Sequence, residues 1–433
     1  MELSKAKSSF FSKVFDITFI RNILALLFVL IIIHTFNIST SIKALFVILF
    51  SVISIYKAKQ SRPLLIITAF IAYSNYSICL YTYLFDNESL YTTYVNTPIA
   101  ETGINILFFF TIGLMISVPN TNVQKANSSI FEIRKEDQNP LIVFAGLAAC
   151  IFVYLTQFHQ GVSGERGSYS SYFEYLSIVL ICIFYFSGGN RKLLSIIVSM
   201  SAFLSLMVLF NGGRAAGIEI FFILFLFMFN KKSISLPYTI LFSVLLLTCF
   251  VIGRVRGNLL NESFLDTTIE VLMENPFFTM DTAYSAYHTS LSFLDVLETT
   301  PPQEMFYLRL QYFKYIFLGS SVPDSNLSVY TSQIVAHSFG GVLPFYFYFY
   351  FGYCGIIVCL LYLRTLFLLF NSDFQDNIIM RIMLAYFSIS VLRWYLYSPS
   401  PIIRAFFIIL IFGTTLKLLH NATSKNTLSH CSE

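Results

Sequence analysis

The sequence predicts an all-α integral membrane protein with about twelve transmembrane helices, both termini on the cytoplasmic side and one large loop on the opposite side. Three observations carry this: the composition, a series of apolar runs of spanning length, and the segregation of Lys and Arg. Apolar residues make up 56% of the chain, charged residues only 12%, and the mean hydropathy is +0.71. A soluble domain carries roughly a quarter charged residues, so this chain cannot cover itself with polar surface.

Apolar runs occur at about 19–36, 42–56, 63–85, 101–118, 140–156, 172–187, 193–210, 215–230, 237–253, 338–363, 379–396 and 402–418. Joined by short connections they form one polytopic membrane domain over 1–433, and the shorter runs borrow flanking interfacial residues to cross. The first run follows a basic leader but lacks a small-residue cleavage site, which reads as a retained anchor. No internal repeat or low-complexity tract is visible.

Lys and Arg in short loops are retained on the cytoplasmic side. With the amino terminus inside, 18 of the 27 basic residues fall inside. The nine outward ones are Lys43, Arg166, Arg214, Arg254, Arg256, Arg309, Lys314, Arg393 and Arg404. The alternation gives an even number of spans. One connection is long: residues 254–337, between the ninth and tenth spans, face outward. Loops of that size are usually functional. Within it, Glu262 to Glu274 and Tyr284 to Leu297 have helical periodicity, which predicts short amphipathic helices lying on the membrane.

Composition also excludes functions. A net charge of +4 (27 minus 23) is too small for a phosphate-backbone binder, so nucleic acid is not a partner. The seven cysteines, Cys79, Cys150, Cys182, Cys249, Cys354, Cys359 and Cys431, form no CxxC pair and no metal-like spacing with His. They read as small core residues. Without HExxH, GxSxG, a P-loop or a clustered His/Asp set, metal hydrolysis, serine hydrolysis and ATP use lack support, and neither a metal nor a cofactor is expected.

The informative residues are the outward arginines, because a cation beside a span on that side needs a reason that membrane insertion does not supply. Arg offers a planar fork of donors that matches phosphate and carboxylate, whereas Lys suffices for topology. In Asn211-Gly212-Gly213-Arg214-Ala215-Ala216-Gly217 the eighth span opens outward, so Gly212 and Gly213 would let an anion approach free backbone N–H groups beside Arg214. A tight turn with Arg214 snorkelling to headgroups is the competing reading. Arg254 and Arg256, flanked by Gly253 and Gly257, could clamp a diphosphate, although a cation at a helix carboxy terminus is already favoured by the dipole. Arg166 and Tyr169, in Gly164-Glu165-Arg166-Gly167-Ser168-Tyr169-Ser170, suit sugar hydroxyls, against the reading as solvated surface. Arg393 and Arg404 flank the Ser398-Pro399-Ser400-Pro401 turn and are expected near one outer crevice. His337, in Ala336-His337-Ser338-Phe339-Gly340-Gly341, could take a proton from a sugar hydroxyl, with Asp281, His288 and Glu165 as competitors. The aromatic tract Phe345 to Tyr350 reads as helix packing or a lipid belt, with stacking on sugar or isoprenoid as the alternative.

The chain resembles the Wzy-type O-antigen polymerases, which join lipid-linked oligosaccharide repeat units. The resemblance rests on the Gly-Gly-Arg-Ala-Ala-Gly turn at 212–217, the Gly-Arg-Val-Arg-Gly exit at 253–257, the large outward loop, and Phe351-Gly352-Tyr353-Cys354-Gly355. It implies a GT-C-like polymerase/ligase bundle in a bacterial inner membrane, with the loop in the periplasm. It further implies that a sugar hydroxyl of one undecaprenyl-diphosphate-linked unit attacks the anomeric carbon of the growing chain and releases undecaprenyl diphosphate. Arg214, Arg254, Arg256 and His337 would then be catalytic. Arg166, Tyr169, Gly212, Gly213, Asp281, Arg393 and Arg404 would bind substrate. The implied partners are the undecaprenyl-diphosphate-linked oligosaccharide, membrane lipids and a chain-length regulator protein.

Two alternatives stay open. An O-antigen ligase shares the loop and the leaving group but moves the glycan to lipid A core. A transporter or lipid-linked oligosaccharide flippase should bury charges at mid-membrane and show repeated halves with interrupted helices, and the sequence displays neither signal.

Overall fold

The computed structural model describes residues 16–22, 24–25, 38–59, 61–85, 93–94, 97–119, 130–159, 168–169, 175–210, 213–228, 269, 273, 278–318, 326–335, 340–370 and 377–430. At 159, 168–169, 210, 214, 228, 316–318 and 421–430 it describes the backbone course alone. The helices are α1 Thr40–Ala58, α2 Arg62–Cys79, α3 Pro98–Ser117, α4 Pro140–Gln157, α5 Leu176–Phe186, α6 Arg191–Phe210 and α7 Arg214–Met228. They continue as α8 Asp281–Thr299, α9 Pro302–Leu318, α10 Leu327–Ser332, α11 Leu343–Leu369, α12 Ile378–Ile389, α13 Val391–Leu396 and α14 Ser400–His430. A π-helical turn, Leu80–Leu84, extends α2, and two short strands, β1 Phe158–His159 and β2 Ser168–Tyr169, pair antiparallel.

Among the described residues seven helices are long and apolar enough to cross a membrane: Thr40–Ala58, Arg62–Leu84, Pro98–Ser117, Pro140–Gln157, Arg191–Leu209, Leu343–Leu369 and Ser400–His420. Three shorter apolar helices, Leu176–Phe186, Ala215–Phe227 and Ile378–Ile389, stand where further spans were expected. The chain is therefore a helical, membrane-embedded protein. Of the expected runs, 237–253 lies outside the described residues and 19–36 largely does. The run at 379–396 divides into α12 and α13 at Ser390. The hydroxyls of Ser388 and Ser390 bond back to the carbonyls of Leu384 and Tyr386, both at 2.8 Å, a pattern that bends helices.

The chain folds as two compact units built from interleaved stretches. Unit 1 comprises Met1–Asn127, Thr279–Asp373 and Val391–Arg404, and unit 2 comprises Ser128–Phe278, Phe374–Ser390 and Ala405–Glu433.

In unit 1, α1, α2 and α3 pack together, and α11 lies along α3. Polar side chains join these helices where lipid-like surroundings offer no other partner. The Asn75 carboxamide on α2 accepts from the Tyr395 hydroxyl on α13 at 2.6 Å and donates to Ser51 on α1 at 3.1 Å and Thr111 on α3 at 3.3 Å. All four residues are buried. Asn75→Leu should cost about 1–2 kcal/mol, since it leaves the Tyr395 hydroxyl unsatisfied. A fall in the thermal midpoint of the detergent-solubilised variant, larger than that of Tyr395→Phe, is the expected result. At one end of the unit Lys57 Nζ donates to Met115 O at 2.6 Å and lies within electrostatic reach of Arg364. Both cations belong to the set expected inside.

Helix α11 is interrupted, contrary to the continuous span expected from 338–363. Phe351 (φ −136°, ψ 15°) and Gly352 (φ 58°, ψ −143°) leave helical geometry, and the left-handed φ at 352 favours glycine. Carbonyls ahead of such a break lose their helical donors. One of them, Phe349 O, accepts from Arg309 Nε on α9 at 3.0 Å.

In unit 2, α5 is the central helix: it is apolar on all sides, every residue but Val179 is buried, and it contacts α4, α6, α7 and α12. One end of this unit is closed by Arg381 of α12, which is 1% exposed. Its Nη2 meets Asp137 Oδ2 at 2.5 Å, its Nη1 donates to Glu132 O at 2.9 Å, and its guanidinium lies 4.9 Å from the Tyr185 ring centre.

Candidate functional site

The sequence-predicted site residues divide between the two units. Arg166, Gly212, Arg254, Arg256 and His337 lie outside the described residues. In unit 2, Gly213 is buried and donates its N–H to Val208 O at 2.8 Å, closing the end of α6. The chain then re-enters helix at Arg214, the first residue of α7. Gly217 packs against α6: an added Cβ would lie 2.5 Å from Leu209 Cγ, and the Ser205 hydroxyl donates to Gly217 O at 2.9 Å. Gly217 thus serves close helix packing, a role the sequence reading did not give it. The outcome is a tight α6–α7 hairpin whose turn stands about 30 Å from Arg191 and Lys192 at the start of α6. Tyr169 pairs with Phe158 in the ribbon that closes the 158–169 loop.

In unit 1, Arg404 is already engaged: Nη2 donates to Tyr315 O on α9 at 2.7 Å, and the guanidinium lies 5.0 Å from that ring's centre. Arg393 is buried within α13. Asp281 opens α8, where its carboxylate complements the helix dipole and accepts from Thr282 N at 2.8 Å.

Helix α8 departs most from expectation. Its periodicity over Tyr284 to Leu297 predicted an amphipathic helix lying on the membrane, yet it packs among α2, α3, α10, α11 and α13 and is buried from Ala283 to Leu294. Its hydroxyls satisfy themselves locally. Thr289 Oγ1 donates to Ser285 O at 3.1 Å, and Ser290 Oγ donates to Ala286 O at 2.8 Å while accepting from Val342 N at 2.7 Å. Polarity of this kind needs no water, and small side chains allow close packing. The companion stretch Glu262 to Glu274 is described only at 269 and 273.

Along α8 the buried polar groups meet the end of α2 and the start of α3. Tyr287 and Tyr83 share a hydroxyl–hydroxyl hydrogen bond of 2.5 Å, and Tyr83 also donates to Ala100 O at 2.6 Å. Nearby Lys43, 1% exposed, faces Glu101 at 3.5 Å. Further along, the Tyr94 hydroxyl donates to Asp295 Oδ2 at 2.9 Å, and its ring centre lies 5.3 Å from that of His288. Burial, and then the Asp295 carboxylate, push the Tyr94 phenol above its usual range, so it stays a donor. The cluster thus brings an Asp, a His and three tyrosine side chains together along one helix. Sequence reading weighed His288 but missed Asp295, Tyr94 and Tyr83. The available signal was an Asp, a His and two Tyr within a helical stretch too polar for a span. Comparison with family models, curated proteins and solved structures finds no match to the chain.

Proposed function

We propose that the chain is a membrane glycosyltransferase that polymerises undecaprenyl-diphosphate-linked repeat units. In this reading it has twelve spans, both termini cytoplasmic, and a site at the periplasmic face of a bacterial inner membrane. A sugar hydroxyl of the incoming unit attacks the anomeric carbon of the growing glycan, and undecaprenyl diphosphate departs. Arg214, Arg254 and Arg256 stabilise the departing diphosphate without a metal, as charge-assisted donors placed where negative charge develops. Arg166, Tyr169, Gly212 and Gly213 of unit 2, and Asp281 and Arg393 of unit 1, are assigned to substrate binding, and His337 to the acceptor hydroxyl. Arg404 is assigned to substrate binding as well, with its Nη2 donating to Tyr315 O.

The observation that carries this reading is the α6–α7 hairpin, which begins α7 at Arg214 at the end remote from Arg191 and Lys192. A helix start with a guanidinium, on the side opposite the topology-setting cations, suits a phosphorylated ligand. The test supplies reconstituted protein with lipid-linked repeat units and no lipid A core. A ladder of lengthened glycans is the expected product, and units that cross the bilayer at unchanged length would contradict it.

A transporter is the second reading. The interrupted α11 and the buried Lys43, Glu219, Arg381 and Arg393 are features it requires. Against it, Phe349 O accepts from Arg309 and Arg381 is held by Asp137, so those two groups serve the scaffold.

A further inference from the structure

His288 and Asp295 stand seven residues apart on α8, two turns, and so share one face of the helix. Tyr94 spans both, with its ring against the imidazole and its hydroxyl on Asp295 Oδ2. Its own position is fixed by the capping residue of α3: Thr97 Oγ1 donates to Tyr94 O at 2.7 Å and accepts from Ala100 N at 3.3 Å. Tyr94 and His288 are 4% and 3% exposed, whereas Asp295 is only half-buried. Among the described residues Asp295 Oδ1 carries no hydrogen bond. One carboxylate oxygen is thus held by a neutral donor and the other, among the described residues, accepts no hydrogen bond, at the rim of a buried polar cluster.

We infer that Asp295 is the general base of the reaction, acting on the acceptor sugar, with Tyr94 as its positioning residue; this rests on the polymerase reading. The acceptor O–H bond breaks and its proton passes to Asp295 Oδ1. The sugar oxygen forms the new bond to the anomeric carbon of the growing glycan. The bond from that carbon to the diphosphate oxygen breaks, and the electron pair leaves with undecaprenyl diphosphate. Asp295 later returns the proton to solvent. Tyr94 orients the carboxylate, and His288 backs the Tyr94 ring.

The experiment measures elongation by the reconstituted full chain, using undecaprenyl-diphosphate-linked repeat units extracted from cells of the source organism lacking this chain. Asp295→Asn is expected to slow elongation about a hundredfold or more, at unchanged KM and thermal midpoint. Asp295→Glu, which keeps the carboxylate, should recover activity to within about tenfold of wild type. Tyr94→Phe, which keeps the ring, should lower kcat about tenfold at constant KM. Glu298→Gln, exposed on the same helix, should elongate at the wild-type rate. Asp295→Asn elongating at that rate overturns the assignment alone, as does a folded Asp295→Glu no more active than Asp295→Asn. Wild-type protein that lengthens nothing overturns the polymerase reading and this assignment with it.

Discussion

A strain carrying Arg214→Ala should make only short glycans, with polymerisation slowed about a hundredfold or more, equivalent to about 3 kcal/mol of transition-state stabilisation. In the proposed reaction the bond to the diphosphate breaks as negative charge grows on the departing oxygen. In that reaction Arg214, the first residue of α7, would act together with the dipole and first-turn N–H groups of that helix. Arg214→Lys keeps the charge but loses the planar fork, so an intermediate chain length is expected. Glycan length resolved on a gel, with protein abundance in the membrane as control, is the measurement. Unchanged long chains from Arg214→Ala would remove this residue from the site.

Arg381→Ala should lower stability by about 3–5 kcal/mol, because it leaves the Asp137 carboxylate and the Glu132 carbonyl without the cation that holds them. The side chain also covers one face of Tyr185, whose hydroxyl in turn donates to Ile130 O, so the segment 130–137 is tied to α12 and α5 through one guanidinium. Arg381→Lys cannot reach both oxygens with a fork and should recover only part of the loss. Arg134, partly exposed and paired with Glu132 and Glu136, is the internal control: Arg134→Ala should cost under about 1 kcal/mol. Thermal unfolding in detergent compares the three. An Arg381→Ala midpoint equal to that of Arg134→Ala would show that the buried pair contributes little.

The apolar runs were legible because a membrane span depends on length and composition, and among the described residues helices stand at ten of the twelve expected positions. What escaped notice depends on backbone geometry and long-range partners. The break at Phe351 and Gly352 lies inside an unbroken apolar tract, and only a glycine marks it. Ser390 splits a run that hydropathy treats as one, because a hydroxyl bonding to its own helix leaves no trace in an apolar average. The periodicity of Tyr284 to Leu297 predicts a helix lying on the membrane, but the serines and threonines of α8 bond locally and its Tyr287 hydroxyl meets that of Tyr83, in the turn that extends α2, far away in sequence. The partner of the Arg404 guanidinium, a carbonyl 89 residues earlier, is likewise invisible to spacing arguments. The close packing of Gly217 on the Leu209 side chain is equally unmarked in the sequence.

In the proposed reaction, bond formation releases a polyprenyl diphosphate. The direct measurement counts both products from purified protein, lipid-linked repeat units and EDTA, with no nucleotide present. One undecaprenyl diphosphate released for each repeat unit joined is the predicted result. Release without lengthening, or no release while the units are carried intact across the bilayer, would contradict it.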